Sequence, residues 1–196
     1  MTGYVALLRG INVGGRNAVP MPALRVLFES LGHERVTTYI QSGNVCFTTA
    51  PDKVIASAGD EAPAQATALG PVELAAEIER GILHAFGLGV RVVLRTKAEL
   101  AQLPAVNPFL DIESDQARVH VVFLAATPTP EAIGKLDPDP FPPDAFVVVG
   151  HEIFIHYPNG AGRSKLTLDY VERRLGTHGT ARNWNTVKQL LARLDG

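Results

Sequence analysis

Cysteine is almost missing from this chain: Cys46 is the single one among 196 residues. No disulfide within the chain can therefore form, and a zinc site built on cysteines is excluded. Such usage suits a reducing compartment, so a cytoplasmic setting is expected. Aromatic residues are also sparse, at 7%, which leaves little for a base-stacking surface. Eighteen basic residues stand against twenty acidic ones for a net charge of −2, so the chain as a whole is no strongly basic nucleic-acid binder. No apolar run approaches the roughly 18 residues of a membrane span. The stretch from Met1 to Arg9 lacks the basic start and long apolar core of a signal peptide and reads as a first β-strand.

Familiar catalytic groupings are missing too. Ser42 has no GxSxG elbow around it, and Cys46 lies in a strand where burial is expected. The six histidines, His33, His84, His120, His151, His156 and His178, show no HxH or HExxH spacing, so no metal site is expected. Asp and Glu are scattered, with no pair assignable as acid and base.

What is present is a clear succession of elements. Tyr4 to Leu8 reads as a strand, and Leu24, Leu27, Phe28 and Leu31 recur at helical spacing before Gly32. Two β-rich runs, Val36 to Ile40 and Val45 to Thr48, flank the turn cluster Gln41 to Asn44 and predict a hairpin. Pro71 opens a helix with Leu74, Ile78, Ile82 and Phe86 on one face and Gly87 at its end, and Val90 to Leu94 follows as a strand. Between them, residues 50–70, rich in Ala and Pro, read as a mobile, dispensable surface loop.

The same order then recurs. After a short helix that Thr96 and Glu99 can cap and Asn107-Pro108 should stop, Val119 to Leu124 is a strand and Pro130 to Leu136 a helix. Phe146 to Val149 and Ile153 to His156 form a second hairpin, Leu168, Val171 and Leu175 line a helix, and Thr177 to Arg182 is a last strand. A C-terminal helix starts after an N-cap at Asn183 or Asn185. The expected fold is α+β, with two successive ferredoxin-like βαββαβ units plus a C-terminal helix. Residues 1–96 make the first unit, 97–116 a linker with a short helix, and 117–196 the second. One mixed sheet formed across both halves is the competing arrangement. Expected core positions include Leu7, Leu24, Phe28, Leu31, Ile78, Ile82 and Val93, and in the second half Val121, Phe123, Val148, Ile155, Val171, Leu190 and Leu191.

Five motifs stand out along the chain. They are Leu8-Arg9-Gly10-Ile11-Asn12-Val13-Gly14-Gly15, Tyr39-Ile40-Gln41-Ser42-Gly43-Asn44, Asn107-Pro108-Phe109, His156-Tyr157-Pro158 with Gly160 to Thr167, and Thr180 to Thr186. In these motifs and their order the chain resembles the bacterial family of domain of unknown function 1697 (DUF1697), from about Tyr4 to Leu194. The resemblance implies the fold class and an intracellular setting, and it brings no catalytic residue or cofactor to carry over. Residues 50–70 depart from it, being longer and richer in Ala and Pro than is usual there.

Physically, the motifs carry an anion-binding signal. Gly14 and Gly15 allow positive φ and expose N–H groups beside Arg9 and Arg16, with Asn12 between them; a tight strand-to-helix connection explains the same glycines. Ser42 and Asn44 belong to a hairpin turn. Gly160, Gly162, Arg163, Ser164 and Lys165, after Asn159, look like a glycine-rich approach to a helix whose N-cap Ser164 can supply, with two cations at that end. From Tyr157 to Gly196 seven basic residues face three acidic ones, a local excess of +4, which suits an anion or simply a solvated helix face. Trp184 reads as a core anchor and His156 as a strand-end residue, each with a ligand role still open.

In a βαββαβ unit of spatial order 4-1-3-2, the loop after Arg9 and the turn at Gln41 to Asn44 share one end of the first sheet. Pro158 to Lys165 and Arg182 to Asn185 share one end of the second. The expected function is binding of a phosphate-bearing or other anionic small ligand in a cleft between the two units. An enzyme acting on a small anionic substrate and a single-stranded RNA-binding or interaction module stay open as alternatives. Nucleic acid is the disfavoured partner because no RNP1 pattern occurs, and no membrane partner is expected.

Overall fold

Tyr4, Ala6 and Leu8 turn one way from the first strand while Val5 and Leu7 turn the other, and the last four of that run are fully buried. The computed structural model describes residues 1–15, 17–49 and 70–195. Arg16 and the stretch 50–69 lie outside the described residues, and with them the expectations of an anion-facing Arg16 and of a mobile, dispensable loop. The chain divides into two units, Met1–Lys97 and Ala98–Gly196.

In the first unit β1 (Thr2–Leu8), α1 (Met21–Ser30), β2 (Glu34–Tyr39), β3 (Asn44–Thr49), α2 (Pro71–Phe86) and β4 (Val92–Thr96) follow in sequence. Their sheet has the order β2-β3-β1-β4 with every neighbour antiparallel, which is the ferredoxin-like arrangement. Register sets Leu7 of β1 opposite Asn44 of β3 and Val93 of β4. Leu24 and Phe28 of α1 and Leu74, Ile78 and Ile82 of α2 pack on Ala6, Leu8, Val45 and Phe47 of one sheet face. α2 ends at Gly87, whose left-handed φ of 68° lets its N–H reach the carbonyl of Leu83.

The second unit begins with α3 (Lys97–Val106), which spans the boundary and carries Pro104 inside it. A 3₁₀ turn at Gln116–Arg118 leads to β5 (Val119–Leu124), then α4 (Pro130–Ile133), β6 (Ala145–Val149), β7 (Glu152–His156), α5 (Leu168–Leu175), β8 (Gly179–Asn183) and α6 (Trp184–Asp195). Sheet order is β6-β7-β5-β8, again antiparallel throughout. Two separate four-stranded sheets thus replace the alternative of one mixed sheet. Val122, Leu124, Ile153 and Ile155 meet Val171 and Leu175 on one face. α6 packs against β5, β8 and the 3₁₀ turn.

Differences from the sequence reading are local. Ile40 leaves β2 because its φ of 48° already belongs to the turn, and Arg35, at φ 50°, lies where the β2–β3 register shifts. α4 stops at Ile133. Leu31, Val148 and Leu191 are only partly buried, while the other expected core positions are buried. Asn183, and not Asn185, caps α6: its Oδ1 accepts from the N–H of Thr186 at 2.9 Å. Among the described residues no helix is long and apolar enough to cross a membrane.

Candidate functional site

In a sheet of this order β1 and β2 run parallel, since each is antiparallel to β3. The loop leaving β1 therefore meets the β2–β3 turn at one sheet end. Leu8 N–H donates to the carbonyl of Gly43 at 2.8 Å, and Asn12 Nδ2 donates to the carbonyl of Gln41 at 2.9 Å. Asn12 also bonds both backbone groups of Val19, donating to its oxygen at 3.0 Å and accepting from its N–H at 2.8 Å. Every polar atom of its amide is thus spent inside the protein. Asn44 is fully buried and donates to the carbonyl of Tyr39 at 3.0 Å and the hydroxyl of Ser42 at 3.1 Å. Gly14 and Gly15 hold left-handed φ values of 57° and 74° in the exposed part of the loop, and Arg9 donates its backbone N–H to Arg91 at 2.9 Å. A nearby cavity of about 410 Å³ is lined by Asn12, Gln41 and residues 18–22, and among the described residues none of its lining side chains is charged.

The second unit differs in that respect. Beyond β7, Tyr157 closes the segment 157–166 on itself, its hydroxyl donating to the carbonyl of Leu166 at 3.1 Å. Burial, and then the charge of Asp144, push that phenol up to about 12. Inside the segment Gly160, at φ 83°, opens a 3₁₀ turn over Ala161–Arg163. Ser164 Oγ accepts from Leu166 N–H at 2.8 Å and donates to Asp144 Oδ2 at 2.6 Å. The expectation that Ser164 caps a helix is corrected here: Thr167 is the cap of α5, accepting from Tyr170 N–H at 3.2 Å. Three residues, with a bend at Lys165, separate Ser164 from Leu168, and the serine hydroxyl reaches Asp144 instead of the first helical turn. Asn159, Gly160, Arg163, Ser164 and Lys165 come together with residues 140–144 around a cavity of about 500 Å³. Gly162, in the 3₁₀ turn, is exposed beside it.

Arg182 and Asn183 do not line that cavity. Arg182 is buried, with its guanidinium donating to Thr180 Oγ1 at 2.7 Å and to the carbonyl of Ala181 at 2.8 Å. Burial lowers it to about 10, so it remains a cation at neutral pH. Asn183 is spent on capping α6, and Trp184 is buried, as a core anchor should be.

Two residues of this unit escaped the sequence reading. Asp144 follows a proline run and gave no signal of its own. Glu113 lies 43 positions from His156, yet its Oε2 stands 2.9 Å from His156 Nε2. Hydrogen bonding from His156, then from the backbone N–H of Asp115, holds the Glu113 carboxyl below its ordinary value, with Arg118 adding charge. Phe109 lies over the same imidazole, ring centroids 5.7 Å apart. Two of the sequence motifs thereby meet. Among the described residues no group of three His, Cys, Asp or Glu side chains is arranged to hold a metal ion.

Over residues 1–154 the sequence matches the family described as protein of unknown function (DUF1697). The chain belongs to DUF1697. The matched stretch stops two residues short of His156, so the cationic segment of this DUF1697 protein lies beyond it. Among solved structures the chain is similar to the conserved bacterial protein SP0830 from Streptococcus pneumoniae, at 25% identity, with 98% of each chain covered and a TM-score of 0.65. The comparison with curated proteins finds no match.

Proposed function

We propose that this DUF1697 protein binds a phosphate-bearing or other anionic small ligand through the cavity beside Arg163 and Lys165. One observation carries the reading: both cations are exposed at a cavity of about 500 Å³, and neither has a hydrogen-bond or ion-pair partner among the described residues. Unspent cations in a concave, partly apolar site favour an anion entering it, and the volume suits a small molecule. Asn159 at the rim adds an amide that can donate. A cytoplasmic setting fits the single, buried Cys46.

RNA fits less well. Ferredoxin-like modules that read single strands do so on an open sheet face carrying aromatics. Here Val5 and Leu7 in β1 and Val121 and Phe123 in β5, turned away from the helices α1, α2, α4 and α5, are buried. The enzyme reading has one observation of its own, the Glu113 and His156 pair, because a carboxylate on one imidazole nitrogen orients the ring for proton transfer at the other.

A thermal-shift screen tests the proposal, since a ligand that binds only the folded state raises the midpoint by mass action. Phosphate, nucleotides, sugar phosphates and short RNA are the probes. A shift with a small anion that vanishes in the Arg163→Ala, Lys165→Ala double variant, with the ligand-free midpoint preserved, is the expected result. A shift untouched by the double variant would refute the site. A response to RNA alone, steep in salt, would favour the nucleic-acid reading.

A further inference from the structure

The lining of the cavity beside Arg163 and Lys165 is not wholly cationic. Asp144 lines the same cavity, and its side chain is fixed: the backbone N–H donates to the carbonyl of Phe141 at 2.7 Å, and Oδ2 accepts the hydroxyl of Ser164 at 2.6 Å. Ser164 has no capacity left to donate, because its one hydrogen goes to Asp144 while its oxygen takes the N–H of Leu166. Oδ1 of Asp144 has no hydrogen-bond partner among the described residues. A bare inorganic anion in this cavity would be attracted by two cations and repelled by a carboxylate. A ligand that carries hydroxyl groups next to its anionic group turns the repulsion into a charge-assisted hydrogen bond, since an ionised carboxylate only accepts. Pro140, Pro142 and Pro143, which lack N–H donors, and Phe141 supply an apolar side for the carbon skeleton of such a ligand.

We propose that the ligand is a phosphomonoester of a polyhydroxylated skeleton, a sugar phosphate or a nucleoside monophosphate, with its phosphate at Arg163 and Lys165 and a hydroxyl on Asp144. Asp144 is then the residue that sets specificity. This inference rests on the anion site proposed above and adds the discrimination among anions.

The test is calorimetric titration of the full chain with inorganic phosphate, ribose, ribose 5-phosphate and adenosine 5′-monophosphate. Ribose 5-phosphate should bind at least about tenfold more tightly than phosphate, the worth of one hydrogen bond to a charged acceptor. Comparison with adenosine 5′-monophosphate tells whether a free sugar phosphate or a nucleotide is the better source of that chemistry. Asp144→Asn should shift the two affinities in opposite directions, tightening phosphate and weakening ribose 5-phosphate. If Asp144→Asn loses cooperative unfolding, Asp144→Ser is read in its place, and the ratio on the unaltered protein stands without either variant. Phosphate and ribose 5-phosphate binding within about threefold of each other would overturn the inference, and would leave the anion site intact if Arg163→Ala still removes both. Equal weakening of both ligands by the Asp144 variants would also overturn it, by making Asp144 a structural residue. Binding by none of the four probes would overturn the inference together with the anion site.

Discussion

Asn12 Nδ2 donates to the carbonyl of Gln41 at 2.9 Å, joining two glycine-bearing motifs that lie 29 residues apart. This link, with the two bonds to Val19, makes Asn12 a strut between the β1–α1 loop and the hairpin turn. Asn12→Ala would strand a carbonyl and an N–H of Val19 and the carbonyl of Gln41, and should destabilise the first unit by about 1–3 kcal/mol. Urea denaturation measures the change; a cost near zero would mean the loop is held without this amide.

Gly43 is the glycine whose replacement matters most in that turn. Its φ is +77°, and an added Cβ would stand 2.7 Å from Leu8 Cβ and 2.9 Å from Ile11 Cδ1. Gly43→Ala combines left-handed strain with overpacking of a buried contact and should cost at least about 2 kcal/mol. Gly162→Ala is the control, because its Cβ would meet nothing within 4 Å among the described residues and its φ is not left-handed. Equal unfolding midpoints for the two variants would contradict this account.

Stability should report the Glu113 and His156 pair through pH. The carboxyl of Glu113 lies below its ordinary 4.5 in the folded protein, chiefly because His156 bonds it. A depressed folded value means that the contribution is complete above the ordinary value and is lost as pH falls through the lowered one. Glu113→Gln should therefore destabilise the protein at neutral pH, with the gap to the native chain closing as pH drops below 4.5. Chemical denaturation repeated across that range supplies the comparison. A gap that stays constant would show that the carboxylate charge contributes nothing.

Phe28 is fully buried and packs edge-on to Phe47, ring centroids 5.2 Å apart. Phe28→Ala should cost about 3–5 kcal/mol, as removal of a large core side chain leaves a cavity that the sheet and α2 fill only in part. Denaturant unfolding that shows less than about 1 kcal/mol would place Phe28 outside the core.

Periodicity and chain stops were enough to make the fold legible. Leu24 and Phe28 of α1, or Leu74, Ile78 and Ile82 of α2, mark a buried helix face from neighbours three or four residues away. Gly87 and Gly176 end their helices in the left-handed conformation that the sequence position implies. The helix-strand order then pointed to the ferredoxin-like topology, twice, with one mixed sheet as the alternative that the strand pairing removed. That the loop after Arg9 meets the turn at Gln41 followed from strand direction alone. What the polar residues of the motifs do was decided only in three dimensions. Asn12, Asn44 and Asn183 satisfy backbone groups, Arg182 turns into the interior, and Arg163 and Lys165 stay exposed, although all six looked alike as candidates along the chain. The pairs that give the second unit its chemical character, Glu113 with His156 and Asp144 with Ser164, span 43 and 20 residues. Helical and strand periods carry burial over a few residues, whereas a hydrogen bond needs a donor and an acceptor within about 3 Å. Only the folded backbone brings such distant residues that close.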